Sequence, residues 1–448
     1  MDEVIHSGTL KNTLPDREVV KRMIDESGIT SFSRASIREI ARLVNQIEEA
    51  SGIRFVRMEM GEPGLRCANI AVEAEIEALK DGFASVYPNI EGIKPLKAET
   101  SKFIKLFLDL DIKPQGCIPT VGSMMGAMAA FLVANRNDCT KEGSLFLDPG
   151  FPVQKQQVKM LGHDYYSFDI FEYRGKKLKA RLESFLKPGK ISSIVYSNPN
   201  NPTWMCLTEE ELEIIGELAD KYDVIVIEDL AYFGMDFRKD YSQPGKPPYQ
   251  PTIGKYIKDY ILLISSSKIF SYAGQRIGMM AISDHLFNRQ YPDLLRYYSS
   301  AGFGHSVVFG ALYGLSAGVS HTTQYGLAAM MKAVNDGSYN FIQQVREYGE
   351  KAAILKKLFT GNGFIIPYDK DMDQPIADGF YFTLSYPGMT SSELIEQLLY
   401  YGISAISLDI TGSRRNDGLR ACVSHVARDQ FAELEKRLVK FNADHPLN

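Results

Sequence analysis

With 448 residues, 50 Lys plus Arg against 55 Asp plus Glu and a net charge of −5, the chain lacks the basic excess of a nucleic-acid binder. Hydrophobic residues make up 45%, yet no apolar run approaches the roughly 18 residues of a membrane span, so a soluble globular protein of two or three domains is expected. Five scattered cysteines without a CxxC pair and seven histidines without metal-ligand spacing speak against a disulfide framework and a metal enzyme, and predict free thiols in a reducing cytoplasm.

The N-terminus, MDEVIHSGTLKNTLPDREVV, is polar and charged, unlike a secretory leader. Residues 31–50 (SFSRASIREIARLVNQIEEA) space their apolar positions as one amphipathic helix, capped by an early serine. From Gly116 to Ser283, short apolar runs alternate with helical patterns. The strand candidates are SLFLD (144–148), DYYSFDI (164–170), ISSIVYS (191–197), VIVIED (224–229), YILLIS (260–265) and GMMAIS (278–283). Several are continuous Ile/Val runs, which suit a parallel sheet covered on both faces. Between two of them, Thr208 and Glu211 have capping-box spacing and Leu207 and Leu212 could form a staple. Leu212, Ile215, Ala219 and Tyr222 then recur at helical spacing. The alternation predicts an α/β domain with a mostly parallel sheet, and the absence of GxGxxG leaves a dinucleotide-binding reading without its fingerprint.

RKDYSQPGKPPYQP (238–251) reads as a polar, proline-rich loop. After Thr322 comes a long helical stretch interrupted near Asp336-Gly337. From Gly363 the texture is α+β, with GFIIPY, GFYFTLSY, ISAIS and LRACVS as strands and helices near 391–401 and 428–441. The expected organisation is an N-terminal segment (1–74) belonging to a small domain, a large domain (75–330) with helices on both faces of its sheet, and a C-terminal part of the small domain (331–448).

The chemistry centres on ILLISSSKIFSYAGQR (261–276), where a buried strand runs into three serines, Lys268 and, eight residues later, Arg276. A lysine forms a Schiff base with a carbonyl through its neutral amine, and burial favours that form. Ser265 and Arg276 offer a hydroxyl and a bidentate guanidinium, a clamp suited to phosphate. A second anion site is available in PTVGSMMGAM (119–128), where Gly122, Ser123 and Met124 would open a helix. The same glycines could equally serve helix packing. VIVIEDLAY ends a strand on Asp229, either a helix N-cap or the partner of a protonated pyridine nitrogen. The turn YSNPNNPTW (196–204) is a plain loop or the carrier of Asn201, which like Tyr232 can donate to a phenolate oxygen.

These residues carry a family resemblance. SSSKIFSYAGQRIG resembles the lysine signature of the class I/II aminotransferases, the fold-type I pyridoxal phosphate enzymes. NPNNPT is similar to their asparagine turn, EDLAY to their Asp–Tyr element, and SVYPNIEGIKPLKAE (85–99) to their tyrosine–proline–glycine stretch. The motifs, with DPGFP (148–152) and a late arginine, follow in the family's order over about residues 58–426. The resemblance implies an α/β fold-type I transferase with a large domain and a smaller α+β domain from both chain ends. It implies an aminotransferase moving an amino group between an α-amino acid and a 2-oxo acid. Lys268 would hold pyridoxal 5'-phosphate as a Schiff base and then act as general acid/base. Asp229 would keep the pyridine nitrogen protonated, Asn201 and Tyr232 would bond its phenolic oxygen, and Phe151 would stack on the ring. Gly122, Ser123, Met124, Ser265 and Arg276 would receive the phosphate. Arg420 would bind the substrate carboxylate, with Gly61 lining that pocket beside Asn201. Tyr87 would reach the phosphate of a second subunit, implying a homodimer with shared sites.

The chain departs from the family pattern at Trp204, its only tryptophan, where the turn usually has glycine. That side chain either shapes the site entrance or packs against the domain, and packing is the expectation. Phe151 stands where tyrosine or tryptophan is common and keeps the stacking surface. A lyase or decarboxylase on the same fold, such as a carbon–sulfur β-lyase or an amino-acid decarboxylase, is the alternative. A ligand-sensing domain of a transcriptional regulator would need a DNA-binding region, which the roughly 60 residues before MGEPG do not supply. A dicarboxylic substrate would need a further cation, for which Arg34 and His305 are candidates by position alone.

Overall fold

The computed structural model describes residues 14–447. The first thirteen residues, on which part of the reading of the N-terminus rests, lie outside them. Seven strands form the central sheet, labelled here β1 (Cys117–Thr120), β2 (Gly143–Asp148), β3 (Asp164–Asp169), β4 (Ile191–Ser197), β5 (Ile225–Asp229), β6 (Tyr260–Ser265) and β7 (Gly278–Ile282). Their spatial order is β1-β7-β6-β5-β4-β2-β3. Only β7 runs against its neighbours β6 and β1; every other pairing is parallel.

The continuous apolar runs have their reason in this sheet. Strand side chains alternate faces, and here the two sets enter two different hydrophobic clusters. Val226, Leu262 and Ile264 pack into one, Ile225, Ile227, Ile261 and Leu263 into the other. Helices cover both faces, so neither can be polar. The fold is α/β, a mostly parallel sheet between two helical layers.

The capping box at Thr208 is present, with Glu211 N–H donating to Thr208 Oγ1 at 3.2 Å and Thr208 N–H donating to Glu211 Oε2 at 2.9 Å. The helix expected over residues 31–50 begins only at Ile37 and runs to Ser51, because Ser36 caps it with Glu39 in a second capping box. Residues 31–36 form turns, which places Arg34 on the approach to the helix rather than inside it.

The smaller α+β layer draws on both ends of the chain. Val56–Arg57 pairs in parallel with Ile403–Ser404. Beside them Tyr381–Ser385, Gly418–Cys422 and Ile406–Ser407 form an antiparallel sheet in which Thr383 and Ile406 both sit opposite Arg420. GFIIPY is not a strand; it contributes one bridge, Ile365 to Ser385. Among the described residues no helix is long and apolar enough to cross a membrane.

Candidate active site

Parallel strands deliver their carboxyl ends to one edge of a sheet, where α/β proteins bind ligands. Here β1, β2, β4, β5 and β6 end at that edge on Thr120, Asp148, Ser197, Asp229 and Ser265. The reversed strand β7 starts there, with Gly278 paired to both Ser265 and Thr120. Arg276 therefore stands beside the loop of Lys268 and the first turn of helix Gly122–Ala134. A cavity of about 880 Å³ opens above this edge. Ser123, Met124, Phe151, Asn201, Asp229, Tyr232, Ser265, Lys268, Arg276, Arg420 and Gly61 all line it.

Lys268 follows β6 in the short helix Ser266–Ile269. Among the described residues its amine makes no hydrogen bond and no ion pair, and lies over the Phe380 ring at 5.8 Å. Burial pushes its pKa down to about 8, with Arg276 and Arg420 adding to the shift. Asp229 is also buried, and burial raises its carboxyl to about 6. Its partners are neutral donors, Gln154 Nε2 at 2.9 Å and the Ala231 N–H at 3.0 Å. The Asn201 side-chain amide and the Ser265 hydroxyl proton are uncommitted; Ser265 Oγ accepts from the Ser267 N–H at 3.2 Å.

At the phosphate-like end, Gly122 has φ +65°, and a Cβ there would lie 2.7 Å from Arg276 Nη2. Only glycine leaves the guanidinium that room. The first N–H groups of this 13-residue helix have no intrahelical acceptor. At the other end, Arg420 is fully buried; Nη2 donates to the Glu59 carbonyl at 2.6 Å, Nε has no partner, and the guanidinium lies 4.6 Å from the Tyr381 ring centroid. Gly61 is equally constrained: a Cβ would stand 2.0 Å from the Tyr381 hydroxyl.

Tyr87 is 93% exposed and outside the cavity, and His305 lies on a surface helix against Phe309. Trp204 is fully buried and does not line the cavity; it packs edge-on to Tyr232 at 5.2 Å. Sequence reasoning missed Gln154, Tyr381, Ser267 and Arg38, all on the cavity wall. Gln154 and Tyr381 gave no local signal, because their roles come from contacts to Asp229 and Arg420, 75 and 39 positions away.

The profile of the aminotransferase class I and II family matches residues 55–438. A probable aspartate aminotransferase of Methanocaldococcus jannaschii is 25% identical over 354 residues, covering 74% of this chain and 88% of that protein. The alanine aminotransferase structure from Pyrococcus furiosus superposes with a TM-score of 0.72 at 18% identity, over 92% of this chain and 98% of that one. An aspartate aminotransferase structure from Thermotoga maritima gives 0.72 at 18% over 94% and 99%. The chain belongs to the class I and II aminotransferase family and is an aminotransferase.

Proposed function

We propose that this cavity binds pyridoxal 5'-phosphate on Lys268 and exchanges an amino group between an α-amino acid and a 2-oxo acid. The observation that carries the reading is the Lys268 amine itself, buried, unpaired and pushed toward its neutral form among groups that suit a phosphate, a ring nitrogen and a carboxylate. The residues fit the cofactor. Gly122 leaves the Arg276 guanidinium free to approach an anion, and Asp229 is a buried carboxylate whose neutral partners leave its charge uncompensated.

When bound, the cofactor supplies an electron sink that makes the substrate's α-proton acidic. Asp229 would hold the proton on the ring nitrogen, and in doing so gain the cation its burial calls for. Asn201 and Tyr232 would donate to the phenolic oxygen. Phe151 would cover one ring face, and Ser265, Arg276 and the first N–H groups from Gly122 to Met124 would take the phosphate. Arg420 would bind the α-carboxylate through N–H groups that the Glu59 carbonyl leaves free, orienting the α-carbon toward Lys268. Lys268 Nζ would move the proton to and from that carbon as general base and acid. The apolar walls of Met60, Phe151 and Ile410 would limit water.

A lyase or decarboxylase is not favoured, since the relatives are named as aminotransferases. The exposed Tyr87 supports a homodimer in which it serves the second subunit's phosphate site. Free cysteines throughout the described residues support a cytoplasmic setting.

The test is titration of the purified protein with single amino acids, without oxo acid. Stoichiometric conversion of a yellow band to the amino form of the cofactor, reversed by a 2-oxo acid and absent in Lys268→Ala, is the expected result. Continuous release of ammonia or carbon dioxide, or turnover by Lys268→Ala, would overturn the reading.

A further inference from the structure

Seven charged side chains line the cavity: Arg34, Arg38, Glu62, Asp229, Lys268, Arg276 and Arg420. The proposed function accounts for the last four. Glu62 is held 3.8 Å from His425 Nε2. Arg34 and Arg38 are left over. Neither guanidinium makes a hydrogen bond, ion pair or ring contact among the described residues, and the same holds for Arg42 one turn further along.

The three follow at four-residue intervals along the start of helix Ile37–Ser51 and the turn before it. Arg38 and Arg42, at that spacing inside the helix, share a helix face, and Arg34 stands in the turn ahead of the Ser36 cap. The face is turned to the site: Arg34 and Arg38 line the main cavity, while Arg38 and Arg42 line an adjoining cavity of about 500 Å³. Arg38, Met60 and Glu62 belong to both walls, so the two spaces adjoin.

The arrangement is locally unfavourable. Like charges at i and i+4 repel, and Arg38 sits in the first turn, where the helix dipole disfavours a cation. Glu39, the acid of that turn, is engaged by the Ser36 cap and attracts Arg42 only weakly, without an ion pair. Arg57, the other arginine of the adjoining cavity, already has carboxylates, Glu48 at 3.3 Å and Glu59 at 2.7 Å. The protein thus pairs the neighbouring charges and leaves Arg34 and Arg38 open.

We propose that Arg34, Arg38 and Arg42 form a distal anion subsite, so that the substrates carry a carboxylate at the far end of the side chain. This rests on the reading of Arg420 as the α-carboxylate site and extends it to substrate class. Arg420 fixes one end of a dicarboxylic substrate and the arginine row receives the other. A row rising about 6 Å over four residues meets side chains of more than one length.

The test is calorimetric binding of unreactive acids to the cofactor-loaded protein: succinate, glutarate and adipate against butyrate, with 3-phosphonopropionate as a phosphate-like arm. Wild-type protein should prefer at least one diacid to butyrate, and the preference should fall with added salt. In the double variant Arg34→Gln/Arg38→Gln that diacid should weaken roughly fivefold or more, with butyrate unchanged. Both positions are exposed, so the variant folds, and its melting temperature verifies this. Unchanged diacid binding, or equal weakening of diacid and butyrate, overturns the subsite. A phosphonate that outranks every diacid overturns the carboxylate assignment. Arg420→Gln separates the two levels. If it weakens diacids and butyrate alike while the double variant has no effect, only the subsite fails. If it leaves both unchanged, the reading of Arg420 fails as well.

Discussion

Tyr232 and Tyr381 meet hydroxyl to hydroxyl at 3.0 Å, and the ring of Tyr381 lies under the Arg420 guanidinium. One tyrosine thus touches both the group assigned to the cofactor's phenolic oxygen and the group assigned to the substrate carboxylate. Each hydroxyl has a single proton. Here Tyr232 donates to Tyr381; if Tyr232 turns its proton to the cofactor, Tyr381 is free to donate in return and keep the pair bonded.

Tyr381→Phe removes that hydroxyl partner and keeps the ring. A neutral hydrogen bond is worth about 0.5–1.5 kcal/mol, so kcat/KM should fall roughly two- to twelvefold. The pH midpoint of the lysine-bound cofactor's visible band should shift. Tyr381→Leu also removes the support under Arg420 and should raise KM further. An unmoved band midpoint in Tyr381→Phe would remove Tyr381 from the network.

Lys268 yields a pH prediction. Its folded pKa of about 8 lies below the ordinary lysine value of 10.5, with burial as the first cause. The cost of keeping it charged is fully present below about 8 and disappears as pH rises toward 10.5, so this group alone makes the cofactor-free protein more stable over that interval. The neutral amine also becomes abundant near pH 8. In cofactor-free protein, the rate of forming a borohydride-reducible adduct with pyridoxal phosphate should rise through a midpoint near 8. A midpoint near 10.5 would mean that the amine is not desolvated.

The parts of the site legible in the sequence were those fixed by short-range geometry. Strand β6, the serines, Lys268 and Arg276 lie within 17 residues, and a strand end plus a turn dictates where they point. The capping box at Thr208 and Glu211 was legible for the same reason. GFIIPY was misread because its composition suits a strand, whereas only one of its residues bridges to Ser385. Tyr381 was hidden as one aromatic in an apolar strand until the register set that strand beside Arg420. Arg34 was visible as a cation, but the later helix start and its alignment with Arg38 and Arg42 depend on the Ser36 cap, which residues 31–50 did not single out.

Trp204 replaces the turn's usual glycine at φ +68°, a left-handed conformation that costs a side-chain-bearing residue about 1–2 kcal/mol. Its burial outweighs that cost, because truncating a core tryptophan forfeits about 3–5 kcal/mol. Trp204→Gly should therefore destabilise by roughly 2–3 kcal/mol in urea unfolding despite the relieved backbone. Gly379→Ala tests the same contact from the other side: its Cβ would fall 1.9 Å from Trp204 Cε2, so the indole must move. A loss of about 1–3 kcal/mol is expected. A stabilised Trp204→Gly protein would mean that strain, not packing, dominates here.

Glu211 tests the polar framework behind the turn. The sequence shows its capping role; the structure adds a bidentate pair with Arg174, Nε to Oε1 at 2.6 Å and Nη2 to Oε2 at 2.8 Å. The Gly175 N–H donates to Oε1 at 2.8 Å, and Arg174 Nη1 reaches Asp371 at 2.9 Å. Both carboxylates are buried, and so is the guanidinium. Burial alone would raise the Glu211 pKa, but Arg174 and the N–H donors hold it below the ordinary value. A depressed carboxyl pKa contributes stability above the unfolded value, about 4.3, and that contribution is lost as pH falls through the folded value. In Glu211→Gln the amide NH₂ must face an arginine N–H, donor against donor, while Asp371 still holds part of the charge. The variant should lose about 2–4 kcal/mol at pH 7. Its deficit relative to wild type should shrink as the pH is lowered below about 4.3, where the unfolded carboxyl begins to protonate while the native one, held lower, still carries its charge. A deficit that stays constant across that range would show that the loss comes from geometry rather than from the ion pair.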